Sequence, residues 1–172
     1  SLVSAISDVD GVIVRSAVKL PQEILDKAFE NPNCRLKGIA RAGVGVDNID
    51  LTTATKYGIA VMNSASASTI TTAEHAFALM ISLARNVANS NAVFRGGGWD
   101  RSEYVGVQLA GRTLGIVGMG RIGQAVARRA LAFGMEVIGF DPYMKEVTAL
   151  DGQVRMMKTF DELMKLVDVV SF

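Results

Sequence analysis

The sequence is poor in reactive and cross-linking side chains, with one cysteine and one histidine among its 172 residues. The lone Cys34 cannot form an intrachain disulfide, which favours a reducing compartment, and without a second thiol we interpret it as inert. The longest apolar run, 76–84, is too short to cross a bilayer. The N-terminus also lacks the basic and then apolar segments of a secretory signal. We therefore expect a soluble, cytoplasmic protein with no membrane partner.

Excess charge of one sign is missing as well. The chain has 18 basic and 17 acidic residues, for a net charge of +1. A nucleic-acid surface needs clustered positive charge, and we expect no nucleic-acid partner. The one basic doublet, Arg128-Arg129, is interpreted as the solvated face of a helix. Hydrophobic residues make up 49% of the chain and charged residues 20%, which predicts one folded domain or two small ones.

The most informative segment is 113–141, where a short apolar strand runs into the pattern G-x-G-x-x-G at 118–123. The apolar spacing after it predicts a helix that Gly134 ends, and a second strand, 136–140, leads to Asp141. This order of strand, glycines, helix, strand and acid is the context that a dinucleotide-binding motif requires. The alternative is an ordinary turn without a ligand, since glycines also mark such turns.

Each residue of this motif has a physical task if it binds a dinucleotide. Gly118 permits the tight turn, Gly120 lets the backbone approach the diphosphate, and Gly123 lets helix and sheet pack closely. The diphosphate would lie at the helix N-terminus, where unpaired amides and the helix dipole favour an anion. Asp141 would accept hydrogen bonds from the adenosine ribose. The predicted cofactor is NAD in preference to NADP, since a 2′-phosphate would meet a carboxylate.

The first part of the chain alternates between strands and helices. We predict a buried strand at 12–14, a helix at 22–30 with Pro21 in its first position, and a strand at 36–40. A helix at 51–57, capped by Asp50, precedes a strand at 59–62. This alternation predicts an α/β fold with parallel sheets.

The loop 41–50 follows a predicted strand and contains Gly43 and Gly45. Its amides could turn outward and bind an anion beyond the carboxyl end of the sheet. Equally, the two glycines could serve only to turn the chain. The residues alone leave both interpretations open.

Two further segments suggest contacts with another domain or subunit. Thr71 and Glu74 form a predicted capping box for an almost wholly apolar helix, 76–87, which we expect to be covered on every side. His75 lies in its first turn and is interpreted as structural. The segment 91–112 has no period and carries Trp99 and Tyr104, which predicts an irregular arm that contacts a second subunit. After Asp141 we predict a weak strand at 153–156, a helix behind a second capping box, Thr159 to Glu162, and a last strand from 168.

With these residues in hand, the chain resembles the D-isomer-specific 2-hydroxyacid dehydrogenases. The resemblance runs through nearly the whole sequence, and its most specific segments are 11–20, 36–63, 73–86, 95–123 and 135–142. It implies a flavodoxin-like substrate-domain portion followed by a partial Rossmann nucleotide-binding domain, with NAD as cofactor and a homodimer or homotetramer as the assembly. We place the boundaries at 1–90 for the substrate portion with its connecting helix, 91–112 for a dimerisation arm, and 113–172 for the nucleotide-binding portion.

The resemblance also implies roles for individual residues. The backbone of Val44 and Gly45 would hold the substrate carboxylate, with positive charge from Arg41, and Ser64 would contact the cofactor. Arg121 and Ile122 would lie on the pyrophosphate, beside the glycines, and Asp141 on the ribose. No metal is expected.

The implied reaction is hydride transfer between the nicotinamide and C2 of a 2-hydroxy acid, with 3-phosphoglycerate preferred as substrate. Glyoxylate, hydroxypyruvate or D-lactate, or a non-catalytic NAD-binding interaction protein, are the alternatives. The family's catalytic arginine, glutamate and histidine match no position here. We expect them beyond Phe172, in a longer protein of which this chain looks like an internal part.

Overall fold

The computed structural model describes residues 1–100 and 102–172, which form two compact units, Ser1–Ser68 and Thr69–Phe172. Both units are built from parallel strands connected by helices. The predicted α/β class is therefore confirmed. None of the helices in the described part of the chain has the length and apolarity needed to span a membrane.

The first unit is a three-stranded parallel sheet in the order β1-β2-β3 with three helices. Its elements, in chain order, are α1 (Leu2–Ser7), β1 (Gly11–Val14), α2 (Gln22–Phe29), β2 (Gly38–Arg41), α3 (Leu51–Lys56) and β3 (Ala60–Asn63). The register aligns Val14 with Arg41 and Arg41 with Asn63, so all three strands end at the same edge. The loops that follow these strands are thus brought together.

Local chemistry explains where these helices begin and end. The Asp50 carboxylate accepts a 2.7 Å hydrogen bond from the Thr53 amide and caps α3, as predicted. Gly58 ends that helix with φ of +68°. Pro21 is the residue just before α2, one position earlier than expected.

The core of the first unit lies under one face of the sheet, with Leu20, Leu25 and Ile39 fully buried. The prediction of a buried strand at 12–14 is wrong in one respect. Val14 is buried, but Ile13 is 80% exposed. Neighbouring residues of a strand point to opposite faces, and the described residues cover only one face of β1.

The second unit is a four-stranded parallel sheet in the order β6-β5-β4-β7. Its elements are α4 (Thr69–Ala84), α5 (Val87–Arg95), β4 (Thr113–Val117), α6 (Arg121–Ala132), β5 (Glu136–Phe140), a 3₁₀ turn (Thr148–Leu150), β6 (Val154–Met156), α7 (Phe160–Met164) and β7 (Val169–Ser171). The predicted strands on both sides of the glycine motif are present, and Gly134 follows α6 with φ of +79°. The Thr159 cap is confirmed, because its hydroxyl accepts a hydrogen bond from the Glu162 amide.

The long apolar helix differs from its prediction. It begins at Thr69, so Thr71 and Glu74 lie inside α4 and the predicted capping box is wrong. The helix is also not covered on every side within this chain, since Leu79 and Leu83 are exposed. Coverage by another subunit stays a prediction.

The observed boundaries also differ from those we placed at 90 and 112. Apolar residues of α4, among them Phe77 and Met80, pack against the core of the second unit, and the chain therefore divides between Ser68 and Thr69. The segment expected to be irregular begins with the second half of α5. Arg101, within the predicted arm, lies outside the described residues.

Candidate functional site

The glycine motif of the second unit forms the turn between β4 and α6. Gly118 has φ of +96°, a conformation that side-chain-bearing residues rarely adopt. A Cβ atom on Gly123 would lie 2.0 Å from the Gly118 carbonyl oxygen, so this close approach requires glycine. A Cβ atom on Gly120 would meet no protein atom within 4 Å. Backbone conformation therefore explains Gly118 and close packing explains Gly123, but neither explains Gly120.

Open space above Gly120 is what a ligand approaching the backbone would need. Gly120 is the N-cap of α6, and it makes no side-chain cap for the helix. The amides of Gly120, Arg121, Ile122 and Gly123 donate to no acceptor in the described part of the chain. Four free amides at the N-terminus of a three-turn helix fit a diphosphate. The predicted residues Gly118, Gly120, Arg121, Ile122 and Gly123 are thus brought together in one turn.

Asp141 lies at the end of β5, beside this turn. Its Oδ2 accepts a 2.9 Å hydrogen bond from the Met119 amide, and its Oδ1 accepts bonds from the amides of Tyr143 and Met144. These bonds, that from Tyr143 first, hold the pKa of Asp141 below its ordinary value against the opposing effect of partial burial. Asp141 is therefore an anion at neutral pH, and its bond from the Met119 amide fixes the turn. Its contact with the ribose stays a prediction.

Met119 and Gln124 complete the turn, and the sequence did not single them out. Met119 is fully buried, and a Cβ atom on Gly139 would come within 3 Å of its side chain. Gln124, on the first turn of α6, donates a 2.8 Å hydrogen bond from Nε2 to the Met119 carbonyl. A polar side chain four residues after the N-cap glycine was the available signal for this contact.

The second group of predicted residues lies at the common strand edge of the first unit. The Ser64 amide donates to the Gly43 carbonyl at 3.1 Å, and Asn63 Nδ2 donates to the Val44 carbonyl at 2.6 Å. A trans peptide directs its N–H opposite to its carbonyl. The amides of Val44 and Gly45 consequently point away from β3, and neither has a protein acceptor in the described residues.

Arg41 lies beside this loop, as predicted. Its guanidinium packs directly over Gly43, where any Cβ atom would overlap it, and Nη2 donates to the Ser16 hydroxyl at 2.8 Å. Its Nε is buried without a hydrogen-bond partner among the described residues. Two outward amides and a neighbouring guanidinium fit a carboxylate or another anion.

Neither the single histidine nor the single cysteine lies in a comparable site. His75 is exposed on α4, and Cys34 is half-buried and free. No cluster of three or more potential metal ligands occurs in residues 1–100 and 102–172. Ser64, predicted to contact the cofactor, lies in the first unit against Gly43, and its cofactor contact stays a prediction.

Comparison with known protein families identifies the segment that contains this turn. Residues 77–172 match the model of the D-isomer specific 2-hydroxyacid dehydrogenase, NAD binding domain. The chain belongs to this family. The match covers the glycine turn, α6, β5 and Asp141, and the cofactor of this domain is NAD.

Individual relatives are similar in sequence to this chain over almost its whole length. It is 44% identical over 170 residues to D-3-phosphoglycerate dehydrogenase of Methanocaldococcus jannaschii, covering 99% of this chain and 32% of the relative. It is 44% identical over 162 residues to D-3-phosphoglycerate dehydrogenase of Bacillus subtilis, covering 94% and 30%. The chain thus spans about a third of the length of these curated relatives.

A solved structure gives the same result for the fold. D-lactate dehydrogenase from Aquifex aeolicus, complexed with NAD and lactic acid, superposes with a TM-score of 0.84 at 32% identity. The match covers 98% of this chain and 49% of that one. The predicted combination of a flavodoxin-like portion with a partial Rossmann domain is confirmed at the level of fold class.

Proposed function

We propose that the protein is an NAD-dependent dehydrogenase that oxidises C2 of a 2-hydroxy acid, and that 3-phosphoglycerate is its substrate. The observation that carries the proposal is the turn 118–123, which combines four free amides with open space above Gly120. It stands beside an ionised Asp141 in the part of the chain that matches the family's NAD binding domain.

In this proposal, the chain's own residues bind and orient the cofactor. The amides of Gly120, Arg121 and Ile122 would hold the diphosphate, and Asp141 would accept hydrogen bonds from the adenosine ribose. NAD, when bound, supplies the hydride acceptor. The carboxylate of Asp141 would also disfavour the 2′-phosphate of NADP through like-charge repulsion.

The loop that contains Val44 and Gly45 would hold the substrate carboxylate. Its two outward amides donate hydrogen bonds, and Arg41 contributes a positive charge. Fixing the carboxylate positions C2 of the substrate, because the two groups are adjacent carbons of a 2-hydroxy acid. The hydroxyl proton must pass to a base as the hydride leaves, and we assign that base to no residue of this chain.

The choice of 3-phosphoglycerate is supported by the relatives, since both curated proteins described above are D-3-phosphoglycerate dehydrogenases. The similarity to a D-lactate dehydrogenase supports another 2-hydroxy acid as the second candidate. The two candidates share the carboxylate and the C2 hydroxyl. They differ in the phosphate, which only 3-phosphoglycerate carries. An assay must therefore compare substrates with and without this dianionic group.

A turnover assay with the full-length protein tests both candidates. NAD is supplied together with 3-phosphoglycerate, D-glycerate or D-lactate, and the formation of NADH is followed. We expect the highest kcat/KM with 3-phosphoglycerate. A higher value with D-lactate would replace the substrate, and no turnover with any 2-hydroxy acid, despite NAD binding, would support a non-catalytic NAD-binding protein instead.

We further propose that the protein forms homodimers through the segment 87–104. Phe94 and Trp99 pack together with ring centroids 5.8 Å apart, yet both are largely exposed. They border an open groove with Val87, Val93 and Tyr104. An exposed cluster of large apolar side chains is typical of a protein interface.

A further inference from the structure

The carbonyl of Met119 belongs to the same peptide group as the amide of Gly120, one of the free amides of the glycine turn. In the described residues, Gln124 Nε2 is the one donor that binds this carbonyl. The side chain of Gln124 is half-buried, and Nε2 also lies 3.7 Å from the Met144 sulfur. A carbonyl only accepts hydrogen bonds, so the NH₂ end of the Gln124 side chain, and not its oxygen, must face it.

The structure shows the peptide between Met119 and Gly120 in one of the two orientations that rotation of its plane would give. Its carbonyl and N–H point in opposite directions, and rotation of the peptide plane exchanges them. Such a rotation changes φ of the second residue, which is −67° in this structure. Gly120 can adopt positive φ at no steric cost, so the residue that permits close approach of a ligand also permits the rotation.

The rest of Met119 does not prevent the rotation. Its amide is fixed by Asp141 and its side chain is buried against Gly139, but both contacts lie on the far side of its Cα–C bond. The rotated peptide would replace the Gly120 N–H with a carbonyl oxygen. The electronegative oxygen would then face an anionic diphosphate, which is unfavourable.

We propose that Gln124 is a positioning residue, which holds the Met119–Gly120 peptide in the orientation that presents the Gly120 amide to the cofactor diphosphate. The inference rests on the proposed cofactor site. It predicts that Gln124 affects the binding of ligands with a diphosphate and not of ligands without one. A purely structural role in α6 would affect both alike.

The test compares NAD, ADP and adenosine by isothermal titration calorimetry on the full-length protein. Gln124→Met keeps the length and helix propensity of the side chain but removes the donor. We expect the Kd of NAD and ADP to rise about three- to tenfold, the effect of one hydrogen bond, and the Kd of adenosine to stay within about twofold. Gln108→Met is the matched control, because Gln108 is exposed and donates outside the site, to the Ala110 carbonyl.

Two results would overturn the inference while leaving the cofactor site in place. One is unchanged ADP affinity in folded Gln124→Met; the other is an equal loss for ADP and adenosine. If the wild-type protein bound neither NAD nor ADP, the proposed cofactor site itself would fall.

Discussion

The side-chain amide of Asn63, at the end of β3, donates a 2.6 Å hydrogen bond to the backbone carbonyl of Val44. This bond fixes the peptide between Val44 and Gly45 with its N–H directed away from the sheet. Gln124 makes the equivalent contact with Met119 in the second unit. In each proposed anion-binding loop, a carboxamide side chain thus donates to a backbone carbonyl.

Asn63→Leu should weaken substrate binding selectively. The variant removes the donor to Val44, and we expect KM for the 2-hydroxy acid to rise about three- to tenfold with little change in kcat. NAD affinity should not change. Steady-state kinetics measure both effects, with the exposed Asn33→Ala of the same unit as control. An unchanged KM would remove Asn63 and the Val44 loop from the substrate site.

The features that were predictable from sequence are those set by local chemistry. The glycine spacing, the strand before it and Asp141 at the end of the next strand follow from short-range rules, and the structure has all of them. Side-chain contacts across the turn, such as Gln124 to Met119, need the angle between α6 and β4, which no residue pattern specifies. The predicted start of α4 was wrong for a related reason. A Thr-x-x-Glu pattern also occurs inside helices, and here Glu74 forms a 3.1 Å ion pair with Arg129 of α6.

Gly120→Val should separate folding from cofactor binding. Gly120 has a negative φ and open space at its Cβ position, so the variant should lose only about 1 kcal/mol of stability as a changed N-cap. Its side chain would crowd the diphosphate, and NAD binding should be abolished. Gly123→Ala is the opposite case, because its Cβ would meet the Gly118 carbonyl and the turn itself would be displaced. Calorimetry and thermal unfolding on both variants check this pair; normal NAD binding to folded Gly120→Val would refute the site.

Asp141→Arg should shift cofactor preference toward NADP but at a cost in overall affinity. The substitution removes the ribose acceptor and supplies a cation for a 2′-phosphate. It also removes the acceptor of the Met119 amide, so the turn loses one of its fixed points. We expect NAD affinity to fall by at least about tenfold, and NADP affinity to stay below that of the wild type for NAD. Unchanged NAD affinity would show that Asp141 lies outside the site.

The stability that Asp141 contributes through its hydrogen bonds, including that from the Met119 amide, should fall at low pH. The pKa of Asp141 is lowered from its ordinary value of 3.8, chiefly by the Tyr143 amide. A lowered folded-state pKa stabilises the protein above the unfolded-state pKa, and this stabilisation is lost as the pH falls through the folded-state value. The difference in unfolding free energy between wild type and Asp141→Asn should be constant from about pH 7 to pH 5 and shrink below about pH 4. Denaturant titrations across this range measure it, and a difference that grew on acidification would contradict the assigned hydrogen bonds.

Trp99→Ser should weaken the proposed dimer without unfolding the chain. Trp99 is 73% exposed within one chain, so that its removal costs little internal packing. Burial of an aromatic side chain at an interface typically makes it a main contributor to binding, and we expect the dimer Kd to rise by about tenfold or more. Sedimentation velocity over a range of concentrations gives the dimer fraction, and circular dichroism confirms the fold.

Tyr143→Ser is the control, because Tyr143 is the more exposed aromatic and lies away from the groove. Equal dimer fractions in wild type and Trp99→Ser, or an equal loss in Tyr143→Ser, would exclude the segment 87–104 as the interface.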